Sequence, residues 1–164
     1  MNEIDDLESL FLHDIPLIDT RAPVEFSKGS LPLASNLPLM IDEEREAVGI
    51  CYEQKGQAAA IRLGHELVNG ARKAERLNQW IHFSQQHPDG ALFCFRGGLR
   101  SEITQSWLKE KGIDYPRVRG GYKAMRRWLI DAVERTCTHT PILLVGGETG
   151  SAKTRVLNEG CFGK

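Results

Sequence analysis

Cys94 is followed within six residues by two arginines and two glycines, in the stretch ALFCFRGGLRS from Ala91 to Ser101. Gly97 and Gly98 let the backbone curl, so that several N–H groups can face one point. A helix starting just after them adds the positive end of its dipole. Arg96 and Arg100 add full charges. Such surroundings cradle an anion and favour the thiolate, the nucleophilic form of cysteine. Cys94 is therefore the candidate nucleophile, and Arg96, Gly97, Gly98 and Arg100 are the candidate anion ligands. The competing reading is a buried cysteine that ends a strand before a tight turn. The density of glycine and arginine tips the balance toward chemistry.

A second stretch, GETGSAKT from Gly147 to Thr154, nearly fits G-x-x-x-x-G-K-[ST]. Gly147 and Gly150 would bring backbone N–H groups to a phosphate. Lys153 would reach an outer phosphate, and Thr154 would hold Mg²⁺. Ala152 stands where the pattern has its last glycine, and ten residues follow Thr154. A phosphate loop needs a parallel sheet behind it and a helix in front, so the expectation is an incomplete or truncated P-loop segment.

The elements that must position these residues alternate. IPLIDTR (15–21) reads as a buried strand, and 29–39, with prolines at 32 and 38, as loop, short strand and loop. Residues 42–69 carry helical spacing with a stop at Gly70, and a second helix runs to His87, ahead of Pro88. DGALFCF is the next strand, SEITQSWLKEKG a helix, YPRVRGGYKAMRRWLIDAVER a strand, a Gly-Gly turn and a helix, and TPILLVGG a last strand. This alternation predicts an α/β fold: a parallel sheet with helices on both faces. The expected organisation is one domain over 1–136, followed by a linker and the incomplete P-loop segment over 137–164.

Composition fits a globular chain: 41% of the 164 residues are hydrophobic and 26% charged, enough apolar material for a core without staples. Net charge is −1 but uneven. Residues 1–46 carry eleven acids and three bases; residues 96–127 carry nine bases and three acids. The basic stretch from Arg117 to Arg127 could meet RNA phosphates or could be a solvated face. No secretory signal or apolar run of membrane-spanning length is present, so neither export nor a membrane partner is expected. Cys51, Cys94, Cys137 and Cys161 lack CxxC or zinc spacing, which points to reduced thiols in a cytoplasmic protein and to no bound metal. Trp80, Trp107 and Trp128 fall on helical stretches as core residues, and Cys137 reads as a passive thiol.

The cysteine loop resembles the active-site loop of rhodanese-like sulfurtransferases. LIDTRAPVEFSKGSLPLASNLP is similar to their opening pattern, through Asp19, Arg21, Glu25, Phe26, Gly29, Leu31-Pro32, Ala34 and Asn36-Leu37-Pro38, with Ser30 where many have His. VRGGYKAMRRW resembles their closing Gly-Gly motif. Arg100 lies six residues after Cys94, one more than in ordinary rhodaneses. That spacing also occurs in related phosphatases and arsenate reductases, but Phe93 replaces their usual His and the loop holds no acid for the leaving group. The form CxRGGxRS and the insertion AVGICYEQKGQAAAIRLGHELV instead resemble tRNA 2-selenouridine synthases, which couple a rhodanese-like domain to a P-loop domain. The resemblance implies exchange of sulfur for selenium in the wobble 2-thiouridine of tRNA, with selenophosphate as donor, a geranylated 2-thiouridine as intermediate and geranyl diphosphate as co-substrate. It implies Cys94 as the nucleophile that carries selenium, with Arg96, Gly97, Gly98 and Arg100 holding the donor's oxyanion. Asp19 and Arg21 would orient the loop or form a structural ion pair. Implied partners are tRNA and the enzyme that makes selenophosphate. The alternatives are a generic rhodanese-type sulfurtransferase or persulfide carrier, and an inactive truncated remnant.

Overall fold

The computed structural model describes residues 2–141 and 145–159. Five strands, β1 (Glu3–Ile4), β2 (Leu17–Asp19), β3 (Ala34–Asn36), β4 (Ala91–Phe93) and β5 (Arg117–Val118), form one sheet in the order β1-β5-β4-β2-β3. Every pairing is parallel. All three residues of β2 and of β4 are buried, as expected where a parallel sheet is covered on both faces.

Side chains alternate across a strand, so successive residues feed two different cores. Leu17, Ala91, Phe93 and Val118 pack with Leu10 of α1 (Leu7–Leu12) and Met125 of α7 (Gly121–His139). Ile18 and Leu92 point the other way, into a cluster with Trp80 of α5 (Gly70–Gln86) and Trp107 of α6 (Leu99–Lys109). The α/β architecture with a parallel sheet, expected from the alternation of elements, is what the chain adopts. In register, Ile18 lies beside Leu92 and Asp19 beside Phe93. The segments leaving β2 and β4 therefore emerge together at one edge, where ligands of open parallel sheets bind.

The helical pattern over 42–69 is two helices, α3 (Asp42–Lys55) and α4 (Gln57–Leu67). Gly56, at φ +80, turns the chain between them while its N–H bonds to the Tyr52 carbonyl at 2.9 Å. Gly70 opens α5 rather than ending α4; Val68 caps α4 and Asn69 precedes α5. Two short helices and an edge strand were not anticipated: α1, α2 (Pro23–Ser27) and β1. β1 is held to β5 by Arg117 N–H to Asn2 O at 3.1 Å and Arg119 N–H to Ile4 O at 2.9 Å. The chain falls into two compact units, Met1–Leu129 and Ile130–Lys164. The expected last strand includes positions 142–144, which lie outside the described residues, as does Cys161. No helix among the described residues is long and apolar enough to cross a membrane.

Candidate active site

Cys94 is the first residue past β4, and it is 3% exposed. The start of α7 clasps the loop that follows. Tyr122 N–H donates to the Cys94 carbonyl at 2.9 Å, and Lys123 N–H to the Phe95 carbonyl at 3.0 Å. Gly97 and Gly121 interlock at this clasp. A Cβ on Gly97 would lie 2.7 Å from the Gly120 nitrogen; one on Gly121 would lie 2.1 Å from the Cys94 oxygen. Both have positive φ, +66 and +57, a region that side chains disfavour. Gly97 and Gly121, one from each glycine pair and far apart in the sequence, thus answer one steric need: two backbone segments in contact.

The thiol lies at the amino end of α6, whose N-cap is Gly98. Its Sγ is 3.3 Å from Ser101 Oγ and can donate to the Gly98 carbonyl at 3.7 Å. Ser101 is fully buried and donates to the same carbonyl at 2.8 Å. The loop geometry therefore gives the sulfur a hydroxyl neighbour and the positive end of an eleven-residue helix.

The two arginines differ. Arg96 is exposed, sits 5.9 Å from the Phe95 ring, and makes no ion pair among the described residues. Arg100 is mostly buried and donates twice to Glu25 of α2, at 2.5 and 3.1 Å. Burial works against its charge, but the Glu25 hydrogen bonds and charge prevail and hold its pKa above the ordinary arginine value. For Glu25, burial pushes the carboxyl up, yet the Arg100 hydrogen bond and charge hold it below the usual range. Glu25 also accepts from the Ala22 N–H at 3.1 Å and lies 3.4 Å from Arg45. The structure thus brings Cys94, Gly97, Gly98 and Arg100 together around the start of α6, with Arg96 at the exposed rim. Glu25 and Ser101 complete the group. Glu25 carries no local signal of that role, being 75 residues from its partner, whereas Ser101 closes the motif that begins at Cys94.

Asp19 and Arg21 form a fully buried pair at 2.6 Å. Arg21 also donates to the Gly29 carbonyl at 2.9 Å and lies 3.8 Å over the Tyr122 ring. Tyr122 stacks on Phe95 at 6.1 Å, so the pair braces the clasp from beneath rather than facing a ligand.

Of the basic stretch, Arg117 pairs with Glu3 and Glu102, and Arg119 with Glu3 and Asp5. The acidic N-terminus thereby neutralises its first part, while Lys123 and Arg126 are exposed. Trp80 and Trp107 are core residues; Trp128 is half-buried and stacks on Phe11 at 5.2 Å. Cys51 is half-buried and Cys137 exposed.

In the second unit, Gly147 and Gly150 have φ +148 and +85. Ala152 takes φ +58, left-handed backbone at the position where the motif has glycine. Lys153 Nζ donates to the carbonyls of Gly147 and Glu148 at 2.9 and 2.7 Å. Thr154 lies in the short helix α8 (Lys153–Glu159).

No protein-family model matches the chain. A solved structure, the N-terminal domain of an ATP/GTP-binding protein of Clostridium difficile 630, superposes with a TM-score of 0.66 at 26% identity, covering 79% of this chain and 99% of that one. Among curated proteins, those named tRNA 2-selenouridine synthase from Marinobacter nauticus and Pseudomonas fluorescens are 59% and 57% identical over 94% of this chain. That from Photobacterium profundum is 60% identical over 92%. The chain spans 42% of the length of the first two and 41% of the third. By sequence, nearly all of this chain is thus related to tRNA 2-selenouridine synthases, of which it spans about two fifths.

Proposed function

We propose that this chain supplies the rhodanese-type half of a tRNA 2-selenouridine synthase, a transferase acting in the cytoplasm on the wobble 2-thiouridine of tRNA. In this reading residues 1–136 are the rhodanese-like domain, and 137–164 lead into a P-loop domain that takes geranyl diphosphate. The observation that carries the reading is Cys94, buried at the amino end of α6 between Gly98 and Ser101, in a chain with 57–60% identity to enzymes of that name.

Selenophosphate is the donor. Its oxyanion meets the N–H groups of Gly97 and Gly98, with Arg96 free to swing from the rim and Arg100 fixed by Glu25. The Cys94 thiolate attacks selenium, the Se–P bond breaks with its electron pair on phosphorus, and the products are Cys–S–Se⁻ and phosphite. The terminal selenium adds at C2 of the S-geranylated thiouridine, the C2–S bond breaks, and the geranyl thiolate leaves. A thiol then attacks the Cys94 sulfur and the S–Se bond breaks, releasing 2-selenouridine and leaving a mixed disulfide, and a second thiol frees Cys94 as the small-molecule disulfide departs. The partners in this reading are tRNA, which exposed Lys123 and Arg126 could contact through phosphates, and the enzyme that delivers selenophosphate.

Intact-mass spectrometry after incubation with selenophosphate tests it. Wild type gains one selenium and Cys94→Ala none. Steady turnover of thiosulfate and cyanide, with no selenium adduct, would replace the reading with a generic sulfurtransferase.

A further inference from the structure

Beside the cysteine loop lies a cleft of about 240 Å³. Its walls come from α3, α4 and α6: Val48, Ala60, Gly64, Leu99, Ile103 and Trp107 among them. Nearly all of this lining is carbon. Among the described residues, the ionisable groups on the wall are His65, Tyr52 and Arg100, and Arg100 is already engaged by Glu25. An oxyanion has no use for such a surface. The cleft is nevertheless continuous with the anion loop, because Leu99 and Arg100 belong to both. Leu99, between Gly98 and Arg100, is 41% exposed, and Tyr52, also on the cleft wall, is 58% exposed. Together with the carbon-lined cleft next to it, this exposed leucine gives an apolar part of a ligand a surface to pack on. At about 30 Å³ per water-sized group, the volume admits roughly eight heavy atoms, most of a ten-carbon chain whose remainder stays at the mouth.

We propose that the cleft between α4 and α6 is a hydrocarbon subsite that seats the isoprenoid chain borne by the substrate's sulfur, so that the chain positions the reacting carbon beside Cys94. This rests on the reading above for what the substrate is. It adds where the chain is bound and which residues select its length. The helices that widen the cleft are α3 and α4, split at Gly56, so the subsite is a product of the insertion that distinguishes this chain from ordinary rhodaneses. The chain's departure with the sulfur then empties the cleft and releases the product.

Trp107 on the cleft wall gives a direct signal. The probes are the nucleosides S-geranyl-2-thiouridine and S-methyl-2-thiouridine, titrated against the chain by tryptophan fluorescence. The geranyl compound should bind at least tenfold more tightly. Gly64 allows the cleft to be filled without strain: its backbone is helical, and an added Cβ would meet only a Val48 methyl at 3.9 Å. Gly64→Leu should weaken the geranyl compound at least tenfold more than the methyl one, and Gly64→Ala should fall between. Circular dichroism and thermal melting establish that both variants are folded. Equal affinity for the two nucleosides, or a folded Gly64→Leu protein that keeps the preference, overturns the subsite. Failure of Cys94 to take selenium in wild type overturns the functional reading instead, and leaves the fluorescence result standing.

Discussion

Glu25 grips the guanidinium of Arg100 with both carboxylate oxygens, across 75 residues of sequence. The contact ties α2, on the segment leaving β2, to the first turn of α6, and so fixes the loop that carries Cys94. Glu25→Gln leaves Arg100 mostly buried without its counter-charge. That should cost about 1–3 kcal/mol in urea unfolding, a value reduced for the partial exposure of both groups. The pH dependence follows. The folded carboxyl ionises below its ordinary 4.5, so the pair's contribution is complete above that value and is lost as pH falls from about 4.5 through the folded pKa. Wild type should therefore lose stability over that acid range more steeply than Glu25→Gln. Parallel curves for the two would remove the pair from the stability of the loop.

Three glycines of the site separate by geometry. Gly97→Ala and Gly121→Ala each combine a positive φ with a Cβ inside 3 Å of backbone. Each should cost about 3 kcal/mol or more, because backbone rather than a flexible side chain must move. Gly98 has φ −98 and nothing within 4 Å of an added Cβ, so Gly98→Ala should stay within about 0.5 kcal/mol. Denaturant midpoints at matched m-values read the contrast. A Gly98→Ala protein as unstable as the other two would contradict it.

The sequence revealed the loop because its residue types are informative in themselves: a thiol, two glycines and two arginines have few shared purposes. It could not reveal that Gly97 needs glycine because of the Gly120–Gly121 backbone, since that need arises only when β4 and α7 are brought together. The parallel sheet was legible from the apolar runs of β2 and β4, whereas β1, two residues long, offers too little pattern to read. The break at Gly56 was hidden because α3 and α4 keep helical spacing on both sides of it. Periodicity marked α4 and α6 as apolar-faced, but not that their faces fail to close and leave a cleft.

Ser101 Oγ lies 3.3 Å from Cys94 Sγ, with Gly98 O as its other partner. The hydroxyl can rotate to donate to a sulfur that has lost its proton. Ser101→Ala should slow selenium loading of Cys94 about tenfold, in line with the loss of one hydrogen bond to a charged group. Ser101→Thr keeps the hydroxyl and should restore most of the rate. Equal loading by Ala and Thr variants, either both fast or both slow, would reduce Ser101 to a packing residue.

Electron balance makes the site of attack on selenophosphate measurable. If the Cys94 thiolate attacks selenium, an S–Se bond forms, the Se–P bond breaks, and its electron pair departs on phosphorus. The co-product is then phosphite. If the thiolate attacks phosphorus, an S–P bond forms, selenide is expelled, and hydrolysis of the S–P bond gives phosphate. A soft sulfur nucleophile prefers the polarisable selenium, so an anaerobic single turnover should give one phosphite per Cys94 loaded, read by phosphorus NMR. Cys94→Ala should give none. Phosphate as the sole product, with Cys94 unmodified by mass, would make the cysteine a phosphoryl acceptor and take the selenium-carrying role from it.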